Sequence, residues 1–191
     1  MSSYLRLAGT ARLADGARFE WTVADGGRGR RWRAVATIDG HITHALLLEV
    51  ALDRSVSRLE LTTPGGLLTL HPDTDGATLH GNAVTTDGVR HLSYAWGPDH
   101  AVAVAGRPVA DAVTAHRLAA TVGVGDSRAI QTLVVAPDLG LTETSVTYTR
   151  VTDGSWRLAD AGRERTLAVD PRGIPSAFAD GSEWPLELDE T

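Results

Sequence analysis

The stretch Arg31-Trp32-Arg33-Ala34-Val35-Ala36-Thr37-Ile38-Asp39-Gly40-His41-Ile42-Thr43-His44-Ala45-Leu46-Leu47-Leu48-Glu49-Val50-Ala51-Leu52 reads as two β-strands joined by a tight turn. Trp32, Ala34, Ala36 and Ile38 alternate with Arg31, Arg33 and Thr37, the period of two expected of a half-buried strand. Asp39-Gly40 supplies the residues that tolerate the positive φ of a hairpin turn. Beyond it, Ile42, Leu46, Leu48, Val50 and Leu52 share one face. His44 lies on that apolar side and Glu49 on the other.

The same pattern extends in both directions. Phe19, Trp21 and Val23 oppose Arg18, Glu20 and Thr22 in an earlier strand. Further short runs at 55–61, 67–71, 77–80 and 90–96 precede four more at 130–136, 145–151, 155–159 and 166–170. One segment, 109–121, has helical spacing, with Val109, Ala112, Val113, His116, Ala119 and Ala120 in a stripe behind Pro108. No proline interrupts a run; Pro64, Pro98 and Pro137 fall in turns. A dozen or so strands in one sheet would leave long exposed edges. The expected fold is therefore all-β, mainly antiparallel, a closed or strongly curved β-barrel with one short helix. With no linker or repeat visible, residues 1–191 are read as a single domain.

Composition narrows the function classes. Hydrophobic residues make up 42% of the 191 and charged residues 22%, too apolar for disorder. Net charge is −6, which argues against nucleic acid as a partner. With no Cys, disulfides and thiolate metal sites are excluded. All 18 basic residues are Arg, which together with the Ala, Gly, Val and Asp richness is what a high-GC bacterial genome is expected to encode. The N-terminus shows no basic head with an apolar run, so a cytoplasmic location is expected. The longest apolar stretch, 45–52, is far too short for a transmembrane helix.

Motifs for chemistry are sparse. His41 and His44 stand three apart, on opposite faces of a strand, and no HExxH is present, so no metal site is expected. Asp73-Thr74-Asp75-Gly76 starts like a calcium loop, but Val84 stands where the closing carboxylate belongs, and the segment reads as a surface turn. Gly123-Val124-Gly125 lacks the strand-to-helix context of a phosphate loop. Arg28, Arg30, Arg31 and Arg33 around Trp32 can grip an anionic head group, or simply form a solvated face. No GxSxG elbow occurs. Glu49, desolvated in the most apolar strand, is a candidate acid or base, with a solvent-facing position or pairing to an Arg as the alternative; His44 is either its companion or a core histidine. Trp21, Trp32, Tyr94, Trp96, Tyr148 and Trp156 are numerous for a chain with 5% aromatics, and as a set they favour a lined pocket over plain core.

Four later stretches resemble a known family. They are Arg107-Pro108-Val109-Ala110-Asp111-Ala112-Val113-Thr114-Ala115-His116-Arg117-Leu118, Gln131-Thr132-Leu133-Val134-Val135-Ala136-Pro137-Asp138-Leu139, Thr147-Tyr148-Thr149-Arg150-Val151 and Val169-Asp170-Pro171-Arg172-Gly173-Ile174-Pro175. Their order, from about Trp32 to Trp184, is similar to that of the glycolipid-binding family, a bacterial group once described only as a domain of unknown function. Matching positions are Pro108, Arg117, Leu118, Tyr148, Thr149 and Arg150. The resemblance implies a many-stranded curved barrel, similar to periplasmic lipoprotein carriers, with an apolar interior. Ala101 and Ala103 replace the family's acidic pair, and Val109 and Asp111 its Phe and Asn, so the resemblance implies a divergent member with its own ligand.

Two function classes follow. The first is a barrel binding an apolar or amphipathic small molecule, glycolipid- or polyketide-like, without a cofactor. Trp21, Trp32, Trp96, Tyr148, Arg150 and Trp156 would line its site as a monomer or homodimer. The alternative is a cofactor-free cyclase or isomerase of secondary metabolism in the same cavity, with Glu49 or His44 as acid or base and Tyr94 or Tyr148 donating a hydrogen bond.

Overall fold

The structure, a computed structural model, describes residues 5–178 and 183–190. The first eight strands form an antiparallel meander: β1 (Arg6–Arg12), β2 (Arg18–Gly26), β3 (Gly29–Ile38), β4 (His41–Val50), β5 (Val56–Thr63), β6 (Gly66–Pro72), β7 (Thr78–Thr85) and β8 (Gly88–Ala95). The chain then crosses to a second sheet through β9 (His100–Val104) and the helix α1 (Pro108–Leu118). It continues there with β10 (Ser127–Val135), β11 (Leu141–Arg150), β12 (Ser155–Asp160), β13 (Arg163–Val169) and β14 (Pro175–Phe178). β15 (Glu183–Glu190) returns to the first sheet and pairs with β1.

The sheet orders are β15-β1-β2-β3-β4-β5-β6-β7-β8 and β14-β13-β12-β11-β10-β9. All pairs are antiparallel except β9 with β10. Parallel neighbours need a long crossover, and α1 is that crossover. The expected all-β, mainly antiparallel class with one short helix holds. Its curvature resides in two curled sheets, each with distinct end strands, rather than in one ring of hydrogen bonds.

The helix packs between two hydrophobic clusters. Val109, Ala110 and Val113 join the large cluster over the first sheet, with Trp21, Trp32, Phe19, Leu48 and Leu59. Ala112, Ala115 and Leu118 join the cluster of the second sheet, with Ile130, Val146, Tyr148, Trp156 and Leu158. Clothed on both sides, the helix buries every residue from Pro108 to Ala115, most of them apolar, with Asp111 and Thr114 satisfied by Tyr148 and the Ala110 carbonyl. The stripe seen in the sequence therefore widens to most of the helix surface. β9 is likewise buried on both faces, so its Ala-Val-Ala-Val run lacks the alternation that marks a half-exposed strand.

The alternation in the opening hairpin is broken once. Ala36 pairs with His44 and Thr37 with Ile42, leaving Thr43 as the extra residue of a bulge, its hydroxyl donating to the Ala36 carbonyl at 3.2 Å. One inserted residue reverses the faces beyond it. Trp32, Ala34 and Ala36 point inward as expected; Ile42, beyond the bulge on β4, is turned outward, and Ile38 is exposed at the end of β3 beside the turn. Leu52 also departs from its expected inward side: β4 ends at Val50, and Leu52 sits in the turn, 75% exposed.

Candidate functional site

At one end of the molecule four chain segments converge: the β2–β3 hairpin, the β4–β5 turn, the last turn of α1 and the β13–β14 turn. Between them lies a cleft of about 340 Å³ lined by Asp25, Gly26, Gly29, Arg30, Val50, Ala51, Leu52, Arg54, Val113, His116 and Gly173. An open groove of about 720 Å³ adjoins it around the hairpin, past Arg28, Arg31, Glu49, Ser57 and Arg58. A further groove of about 680 Å³ lies over β1 to β5. Its lining, including Thr10, Glu20, Thr22, Val35, Leu47 and Glu60, comes among the described residues from strands alone.

The cleft is built by side chains of opposite character. Arg30 is mostly buried and is chelated by Asp25, Nε to Oδ1 at 2.6 Å and Nη2 to Oδ2 at 3.1 Å. Its Nη1 donates to the Arg172 carbonyl. Arg54 Nη1 donates to the His116 carbonyl at 3.0 Å, near the negative end of the helix dipole. Burial first, then the guanidiniums of Arg54 and Arg30, push the His116 imidazole down to about 4, against Asp170 and Asp25. It is neutral at physiological pH. Gly173 closes the cleft floor at φ 83°, where a Cβ would sit 2.9 Å from the His116 ring.

The opposite end holds a second polar cluster. Arg107, just before α1, donates from Nε to His44 Nε2 at 2.7 Å and from Nη2 to Asp15 Oδ2 at 2.9 Å. His44 and Arg107 are buried. Burial and then Arg107 lower the His44 pKa to about 4, opposed by Asp15. Burial alone would raise the Asp15 pKa, but the Ala17 N–H and Arg107 outweigh it and the net shift is downward. The ring of Phe19 covers His44 at 6.0 Å. The eleven-residue helix, about 16 Å long, runs from this end to the cleft.

The residues singled out in the sequence occupy several places. Glu49 faces outward and accepts from Arg31 Nε at 2.7 Å, the Arg pairing that was its alternative. His44 faces inward on the same strand, so the two do not share a site. Trp21 and Trp32 pack against each other at 5.5 Å in the first cluster, while Tyr148 and Trp156 lie fully buried in the second. Tyr148 donates to Asp111 Oδ1 at 2.9 Å; burial and then the Asp111 carboxylate raise its pKa well above the usual 10. Tyr94 and Trp96 are partly buried beside a gap of about 10 Å³, no larger than one water. Arg150 donates to the carbonyls of Ala119 and Val122 at 3.1 and 2.9 Å, tying down the chain after the helix, and lies 5.9 Å over the Trp156 ring.

These rings thus divide between two packed clusters on either side of α1. The cleft instead draws on Arg54, His116 and Gly173, which the sequence reading did not assign to a site. His116 and Arg30 had appeared in it, one in the helical stripe and the other in the basic run. Asp73 to Gly76 form the β6–β7 turn. No group of three or more His, Asp or Glu side chains converges as for a metal ion among the described residues. Nor is any helix there long and apolar enough to cross a membrane.

No family model matches the chain, and no curated protein does. Among solved structures, the crystal structure of a DUF1089 family protein from Pseudomonas aeruginosa is similar in fold. It is 17% identical, with a TM-score of 0.54 over 94% of this chain and 91% of the other. The likeness is one of architecture, shared with a family of uncharacterised function.

Proposed function

We propose that the protein binds an amphipathic small molecule, glycolipid- or polyketide-like, in the cleft at the C-terminal end of α1. One observation carries this reading: Val50, Leu52 and Val113 line the same cleft as Arg30, Arg54 and His116. Small-molecule sites are concave, mostly apolar and oriented by a few polar groups, with volumes from roughly 300 Å³ upward. Leu52 adds support, because a leucine 75% exposed beside such a cleft offers apolar area to a ligand. The resemblance of the sequence to the glycolipid-binding family supports this reading without specifying the ligand.

A cofactor-free cyclase or isomerase in the same cleft is the second reading, and His116 is what favours it. A neutral imidazole facing the cleft is a general base in its active form. Its pKa of about 4 makes it a weak one, far from the value near 7 that proton transfer favours, so binding is the preferred function.

The test uses N-phenyl-1-naphthylamine, a neutral apolar fluorophore, titrated into the full-length protein. Saturable enhancement at one site, weakened several-fold in Leu52→Asp with unchanged melting temperature, is the expected result. Absence of saturable binding overturns the reading. For the second reading, a bound compound recovered chemically altered is the deciding observation.

A further inference from the structure

We propose that the polar group this cleft selects is an anion, a carboxylate or phosphate carried on an apolar chain, held between Arg54 and His116. The inference rests on the binding reading above and specifies its ligand class.

The charge balance of the cleft is uneven. Asp25 engages Arg30 with both of its oxygens, so that guanidinium is already neutralised. Arg54 has no carboxylate within ion-pair distance among the described residues. The hydrogen bond it makes goes from one nitrogen to a backbone carbonyl. A guanidinium carries five N–H donors, so most of the fork remains available for a planar carboxylate or a phosphate. The neighbouring acid, Asp53, is turned to its own loop, accepting from the Ser55 N–H at 3.0 Å and the Ser55 hydroxyl at 2.6 Å.

His116 completes the arrangement. Its ring nitrogens make no hydrogen bond to another described residue, and a neutral imidazole has one N–H to give. Arg54, Arg30, Asp170 and Asp25 are the charged groups that act on it. The ring is held in place from behind: Gly173 approaches so closely that a Cβ there would lie 2.9 Å from the ring and 3.1 Å from Arg30 Nη1. Arg54 itself adopts φ 66°, a left-handed conformation that costs a non-glycine residue energy. Such strain recurs where a side chain must be presented to a ligand. Val50, Leu52 and Val113 then receive the chain that carries the anion.

The experiment displaces bound N-phenyl-1-naphthylamine with dodecanoate, dodecyl phosphate, dodecyl maltoside and inorganic phosphate, each below its micelle threshold. Both anionic amphiphiles should displace the probe at concentrations at least about tenfold lower than the neutral maltoside. Arg54→Gly, which suits the left-handed backbone, should erase that preference, and Arg54→Lys should keep part of it. The readout is a ratio of affinities, so a general loss of affinity does not mimic it. If the maltoside competes as well as dodecanoate, or Arg54→Gly keeps the preference, the anion assignment is wrong while the binding reading survives. Inorganic phosphate competing as strongly as dodecyl phosphate would overturn the apolar chain and leave an anion site alone. If the probe never binds, the binding reading falls and this inference with it.

Discussion

Arg107 donates to His44 across 2.7 Å, joining the start of α1 to β4 over 63 residues of chain. The acceptor must be an unprotonated ring nitrogen, so the contact requires the neutral imidazole. His116, at the other end of the same helix, is also held neutral by burial and by guanidiniums. Two histidines at opposite ends of one buried helix thus share one electrostatic state for parallel reasons.

Acid should therefore destabilise the fold as the pH falls below the ordinary histidine range. The unfolded chain takes up protons near the ordinary histidine pKa of 6.5, whereas folded His44 and His116 resist protonation until about 4. Their contribution is complete above pH 6.5 and is lost as pH falls through that window. For His44 the loss reaches up to about 3 kcal/mol, and it is smaller for the more solvated His116. Urea midpoints at about pH 7 and about pH 4.5 measure it. His44→Asn should show a shallower fall than the parent; equal slopes would mean that His44 is not the responsible group.

Arg54 offers a comparison of backbone strain. At φ 66° glycine fits where alanine does not, and both substitutions remove the same hydrogen bond to His116. Arg54→Gly should exceed Arg54→Ala in stability by about 1 kcal/mol in denaturant unfolding. Equal stability would show that the left-handed conformation is not enforced.

Gly173 tests the close approach behind the cleft. Gly173→Ala meets both an unfavourable φ of 83° and the His116 ring at 2.9 Å, and should cost about 1–3 kcal/mol. Adding His116→Ala should recover the steric part and leave the backbone part, a positive coupling in a double-mutant cycle. Strict additivity would deny the contact.

In the second cluster, Tyr148→Phe should cost about 1–3 kcal/mol, because Asp111 is buried and loses a hydroxyl donor. The cost should shrink in an Asp111→Ala background. A Tyr148→Phe protein as stable as the parent would place the stabilisation of Asp111 elsewhere.

Much of the fold was legible because strand alternation is a local property. Phe19, Trp21, Val23, Trp32, Ala34 and Ala36 revealed inward faces through side-chain geometry alone. Legibility ended where burial ceased to be one-sided. β9, covered on both faces, shows no alternation, and β1 contains Gly9 and small residues where a clear period would be needed. The Thr43 bulge turned Ile42 outward by an insertion that no periodicity announces, and Ile38 is exposed because it ends its strand beside the turn. Among site candidates, the alternative pairing of Glu49 with an Arg was open to sequence reading, because Arg31 stands opposite it across the hairpin.

By itself, the sequence determined the all-β class, the one helix and the basic run beside Trp32, since each depends on residues near one another in the chain. The tertiary structure alone decided the rest. Only once two sheets close over α1 do Arg30, Arg54, His116 and Gly173, drawn from four distant turns and helix ends, face one cleft. The same closure sends Trp21 and Trp32 to one cluster and Tyr148 and Trp156 to another. The physical reason is that convergence depends on which faces of the sheets pack on the helix, a choice made by the buried area of the whole molecule rather than by any local pattern.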